Sequence, residues 1–386
     1  MVSNFYLFPL LLFQIKNIVK LIRKSRIPVA LLMGWLVLSS WGYKGHEIIG
    51  ENFALSMNDE MNQFESWVPV LANHSGDADK RKSWDSSEGI KHYIDIDNYP
   101  EFLENGKIAQ DINELIATHG RDFVSKQGIL PWATVRAYDT LVVCFEKKDF
   151  DRAALIAADL SHYVGDGHMP LHITANYDGQ LSGNDGIHSR YESAMISSHE
   201  NELVYEGSPV TKIDNVEQYV FNYIYESHSF MDSILHADDY ARSATASTKS
   251  TAYTDTLWAR TRDLTISQFQ KSSHALAALI YTAWLEAGAP SFNDHTFSEE
   301  LIAFKTMLNA VYYRDSVLMV EFGLNEPSEI SCDVLETSGK KIISKEVGHF
   351  GKGLHHFQLN VGMPKGNYIF SFHYNQSKET RKFSVW

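Results

Sequence analysis

The sequence predicts a mainly α-helical domain followed by a small C-terminal β-sandwich. Two observations carry that expectation. Arg152 to Val164 and Phe269 to Ala287 place apolar residues at helical spacing. Beyond residue 315 the chain changes to short alternating segments parted by turns such as Thr337-Ser338-Gly339-Lys340 and Pro364-Lys365-Gly366-Asn367. At 386 residues, 44% hydrophobic and 21% charged, the chain is long enough for a sizeable core and more than one domain.

Taken in order, residues 1–40 read as a signal peptide. Lys16 to Arg26 is basic, Pro28 to Leu38 is apolar, and Ser39 and Ser40 suit a cleavage site. The apolar run of 11 residues is short for a membrane span, which needs roughly 20. An uncleaved anchor is the alternative. Cleavage after Ser40 makes Trp41 the first residue. The helical domain is expected over 41–288, its last helix closed by Gly288 and Pro290, and a linker over 289–315. The sandwich is expected over 316–386, with strands at Ser316–Leu324, Glu329–Glu336, Lys341–Val347, Leu354–Val361, Asn367–Tyr374 and Thr380–Trp386. Tyr368, Phe370, Phe372 and Tyr374 share one face of a strand. Cys144 and Cys332, the two cysteines, fall in different domains and are expected as buried free thiols. The net charge of −14 argues against a broad basic surface for nucleic acid.

The chemistry concentrates in LSHYVGDGHMPLH, Leu160 to His172. His162 and Asp166 lie four apart on a helix and share a face. His172 follows beyond Pro170, where that helix has ended or turned. His188 and Glu192 repeat the four-residue spacing. Upstream lie His46, Asp79 and His92, with Asp77 and Asp85 as competitors of Asp79. Imidazole and carboxylate are the donors zinc takes where no thiolate is offered. Each piece alone also fits a helix-surface pair or a packed core residue. His168 reads as a neighbour of the cluster, and Asp159 as either a partner fixing a ligand or a surface residue.

Together these motifs resemble the trinuclear zinc phosphodiesterase superfamily, over roughly Trp41 to Gly288: Trp41 with His46 five later, Ala78-Asp79, His92-Tyr93-Ile94-Asp95, HYVGDGHMPLH and HSRYE. That superfamily holds bacterial zinc-dependent phospholipase C and the single-strand-specific nucleases of moulds and plants. The resemblance implies a hydrolase using three zinc ions. One would lie on Asp79, His92, His162 and Asp166. A second would take the free amine and carbonyl of Trp41, with His46 and a shared Asp166. A third would lie on His172, His188 and Glu192. It also implies that Asp79 orients or deprotonates the attacking water. Arg81 or Lys82 reads either as a help in neutralising phosphate or as a solvated charge.

Phospholipid and single-stranded nucleic acid both stand as substrates. Glu192 in HSRYE and the short interval from His172 to His188 resemble the phospholipase. The Trp41-to-His46 spacing, Gly183-Asn184-Asp185 and the pair Tyr93 and Asp95 resemble the nucleases. Lys80 stands where the phospholipase has an aromatic that helps cage choline, and a lysine makes no cation–π cage. A metal-binding surface protein without turnover is the reading of a different class. The tail resembles the C-terminal sorting domain of the type IX secretion pathway, in Ser338-Gly339-Lys340, Gly366-Asn367-Tyr368 and Lys382 to Val385. That implies the secretion machinery as partner and passage through a periplasm to the surface or medium; no stable protein partner is expected. An adhesion or carbohydrate-binding sandwich is the alternative.

Overall fold

The computed structural model describes residues 42–298, 301, 307–314, 316–324, 326–351, 353–375 and 377–385. The expected signal peptide and Trp41 lie outside these. No helix among the described residues is long and apolar enough to cross a membrane.

The first part is helical, and its main elements are α1 (Gly42–Asn52), α2 (Val68–His74), α3 (Asp77–Arg81), α4 (Leu130–Glu146), α5 (Phe150–Gly167), α6 (Val216–His228), α7 (Met231–Ala244) and α8 (Thr251–Glu286). Helix α5 starts where the Asp149 side chain accepts from Arg152 N–H, and ends at Gly167, three residues before Pro170. Its buried face runs through Ala153, Ala154, Ala157 and Ala158. Such small side chains let neighbouring helices approach closely, so α5 sits in the middle of the domain. Helix α8 is capped by Ser250, which accepts from Tyr253 N–H, and the chain leaves it through Gly288 at φ +81°. It begins 18 residues before the expected Phe269. Its first half buries Tyr253, Thr254, Thr261 and Thr265 beside Leu257 and Trp258, a polar-rich face that hides the apolar period.

The C-terminal part is two antiparallel sheets, ordered β1-β2-β5 and β4-β3-β6-β7. The strands are β1 (Met307–Arg314), β2 (Val317–Leu324), β3 (Ser328–Glu336), β4 (Lys341–Phe350), β5 (Gly353–Asn360), β6 (Gly366–Tyr374) and β7 (Ser377–Val385). Leu318, Val320 and Phe322 meet Ile330, Cys332, Phe370 and Phe372 in one apolar core between the sheets. Tyr368, Phe370 and Phe372 are buried and Tyr374 packs on the same core, as the alternation requires. Strand β1 corrects the expected linker over 289–315. Its pairing with β2 slips between Leu308 and Ala310, and that bulge breaks the alternation by which a strand is recognised. Cys144 and Cys332 are both free and buried.

Candidate metal centre

Helix α5 is the platform. His162 and Asp166, one turn apart, are both fully buried. His162 donates from Nδ1 to the Ser75 carbonyl between α2 and α3 at 2.7 Å, which fixes its tautomer. Its Nε2 then lies 3.3 Å from Asp166 Oδ2 and 3.5 Å from Asp79 Oδ1. His46 of α1 stacks on His162 with ring centroids 3.8 Å apart, and its Nε2 is 3.5 Å from Asp166 Oδ1. Gly165 makes room for that stack: a Cβ there would stand 2.9 Å from His46 Nδ1. His92, after the short turn Gly89–Lys91, brings Nδ1 to 3.0 Å from Asp166 Oδ2 and 2.9 Å from His162 Nε2.

A second group adjoins the first. His172 lies on the turn Pro170–His172, and the chain then leads to His188 and to Glu192 in a π-helical turn, Arg190–Met195. Nε2 of His172 and of His188 stand 3.4 Å and 3.2 Å from Glu192 Oε2. Their outer nitrogens donate to backbone carbonyls, His172 to His92 and His188 to Tyr177. His172 Nδ1 is also 3.8 Å from Asp166 Oδ1, which links the two groups.

The donor set fits metal. Within His92–His162–Asp166, His46–Asp79–His162 and His172–His188–Glu192, one ligand atom per residue lies within 4.8 Å of the others. Asp166 Oδ1 and Glu192 Oε1 are buried without a hydrogen-bond partner among the described residues. Leaving a carboxylate oxygen so is costly unless a cation compensates it. His162 Nε2 and His92 Nδ1 stand 2.9 Å apart beside these carboxylates, a spacing that a shared proton or a cation satisfies. In the metal-free chain a proton serves: burial lowers the His162 pKa, but Asp166 and Asp79 outweigh it and push it up to about 10. Burial likewise raises the Asp79 carboxyl, yet Lys82, His162 and His92 hold it below the usual range. His46, buried, falls well below the ordinary imidazole range.

Other expected residues are placed as follows. Asp79 on α3 is half-buried, 3.5 Å from His92 Nδ1, and Lys82 Nζ reaches its Oδ1 at 2.6 Å. Lys80 turns to Asp77 at 2.8 Å and lies over the Tyr43 ring, with no contact to the histidines. Tyr93 donates to the Lys126 carbonyl. Asp95 makes no side-chain hydrogen bond or ion pair among the described residues, and burial with nearby Asp97 raises its pKa to about 7. His168 is buried against Tyr223 and bonded to the Val164 carbonyl, outside both groups. Asp159 pairs with Arg81 at 2.8 Å rather than with a histidine. Gly42 brings the start of α1 against Glu192 and Ser193, where an added Cβ would be 3.5 Å from the Glu192 carbonyl oxygen. Two residues escaped the sequence reading. Glu88 faces His92, and its four-residue offset from His92 repeats the spacing of His162 and Asp166. Asp238 of α7 holds Arg190, between His188 and Glu192, at 2.9 Å. No local spacing signals that pairing.

No family model matches the chain. A phospholipase C of Bacillus cereus is 25% identical over 163 residues, covering 42% of this chain and 50% of that protein. A probable serine protease of Bradyrhizobium tropiciagri is 33% identical over 95 residues, covering 20% of this chain and 12% of that protein. The chain thus spans half or less of the length of these curated relatives. Among solved structures, an alpha toxin from Clostridium absonum has a TM-score of 0.40 at 11% identity, over 90% of this chain and 96% of that one. An alpha toxin from an avian strain of Clostridium perfringens has a TM-score of 0.40 at 8% identity, over the same shares.

Proposed function

We propose that this chain is a secreted zinc-dependent hydrolase of phosphodiesters, phospholipase C-like. One observation carries the reading: eight side chains scattered from His46 to Glu192, all buried but the half-buried Asp79, converge in one group of imidazoles and carboxylates. The partial likeness to a phospholipase C supports it. With both thiols elsewhere, nitrogen and oxygen donors suit zinc.

Asp79, His92, His162 and Asp166 would hold one ion; His46, Asp166 and the amine and carbonyl of Trp41 a second; His172, His188 and Glu192 a third. Zinc so held supplies Lewis-acid neutralisation of an anionic diester and water activated near neutral pH. Asp79, ionised and half-buried, accepts a hydrogen bond from the attacking water and aims it at phosphorus. Lys82 beside it adds positive charge for the phosphate. Asp166, which lies near histidines of both groups, would serve as the shared carboxylate of the first two ions.

The test is metal analysis with hydrolysis of bis-p-nitrophenyl phosphate, before and after chelation and zinc repletion. Zinc-loaded protein that cuts no phosphodiester would overturn the reading. Phosphatidylcholine, phosphatidylethanolamine and single-stranded DNA then separate the substrates. The nuclease alternative draws on the unbonded Asp95 beside Tyr93, which could bond and stack on a base. The leader and tail support export, by the type IX route for the tail. N-terminal sequencing of secreted protein checks for Trp41 as first residue, and a reporter fused to residues 316–386 checks the tail.

A further inference from the structure

One imidazole of the group is turned the other way. His162, His172 and His188 donate outward from Nδ1 to the carbonyls of Ser75, His92 and Tyr177, and present Nε2 to the carboxylates. His92 presents Nδ1, at 3.0 Å from Asp166 Oδ2. Its Nε2 points away and is buried with no hydrogen-bond partner among the described residues, and Glu88 Oε1 stands 3.4 Å from it. Glu88 is 1% exposed. It gathers cations and donors about itself: Lys91 Nζ at 2.7 Å, the Arg81 guanidinium at 3.4 Å and the Tyr163 hydroxyl. Arg81 is held in turn by Asp159 at 2.8 Å.

From this geometry we infer that Glu88 is a positioning residue: its carboxylate takes the His92 Nε2–H and thereby commits Nδ1 to the metal. A ligand histidine needs one nitrogen deprotonated and aimed inward, and the partner of the other nitrogen decides which. His162, His172 and His188 face neutral carbonyls, whereas the outer nitrogen of His92 faces a carboxylate. Lys91, Arg81 and Tyr163 hold that carboxylate in place, so it serves as acceptor and not as a competing ligand. The inference rests on the metal-binding half of the reading above and needs no particular substrate.

The experiment uses the full chain. In metal-free wild type, nitrogen-15 spectra of the ring should show His92 protonated on Nε2 and unprotonated on Nδ1. In Glu88→Ala the His92 preference for Nε2–H should be lost, and zinc affinity, by competition with a chromogenic chelator, should fall about 10–100-fold at one ion of the set. Lys91→Met, which spares the acceptor, should keep the tautomer and lose less than about threefold. A purely structural Glu88 would change the melting temperature and leave tautomer and affinity alone, and that result overturns the inference. So does a wild-type His92 protonated on Nδ1, which decides the matter even if Glu88→Ala does not fold. Tight zinc with no phosphodiester cleavage would count against the hydrolase and not against Glu88.

Discussion

His162 and Asp95 show how burial and neighbours divide the work of single residues. With a pKa near 10, His162 is protonated at neutral pH, and a metal ion must expel that proton to use Nε2. Zinc affinity should therefore rise about tenfold per pH unit between pH 6 and 8, and calorimetry in buffers of different ionisation enthalpy should show at least one proton released. A pH-independent affinity would contradict this. Asp95 behaves oppositely. Unfolded, it ionises near pH 4; folded, near 7. Between these values the unfolded chain has already released the proton that the fold retains, so stability is lost as pH rises from 4 to 7. Asp95→Asn should stabilise the metal-free protein at pH 8 and leave it unchanged at pH 4, read from denaturant midpoints. His162 and Asp166 were legible in sequence because four residues on a helix fix a shared face. Lys82 was not separable from Arg81, because only the α3 turn shows that Lys82 reaches Asp79 while Arg81 turns to Glu88 and Asp159.

At the scale of elements, the segment from His188 to Glu192 is set by a strap from α7. Asp238 is fully buried and takes Arg190 at 2.9 Å, Asn184 Nδ2 at 2.8 Å and the Tyr253 hydroxyl of α8. Asp238→Ala leaves Arg190 without its buried counter-charge and should cost about 3 kcal/mol by denaturant titration. It should also lower zinc content, because the turn that aims His188 and Glu192 is loosened. Full zinc content with unchanged stability would refute the strap. Gly128, at φ +84°, offers a second check: an added Cβ would stand 2.2 Å from the Tyr93 carbonyl oxygen. Gly128→Ala should displace the chain next to His92 and destabilise by about 1–3 kcal/mol. The strap joins residues 48 apart in sequence and leaves no periodic trace. Helix α5 announces itself because it meets the bundle through one small-residue stripe, whereas the first half of α8 meets it through threonines and aromatics.

For the whole molecule, the helical part and the sheet part keep separate apolar cores, and the candidate metal ligands all belong to the first. Scanning calorimetry should show two transitions, and a chelator should lower only the one belonging to the helical part, since an ion stabilises only the unit that binds it. A single transition that moves as a whole would show the two to be one cooperative unit. The division itself was legible, because turns and alternation begin where helical spacing stops; β1 was not, because its bulge falls at the junction. Each core also contains one of the two thiols, Cys144 at 3% exposure and Cys332 at 1%. Nature has thus placed one chemical clock in each half. The rate at which an alkylating reagent reaches either sulfur times the opening of that half alone, with no label introduced, and reducing agents leave both clocks running because no covalent staple is there to cut.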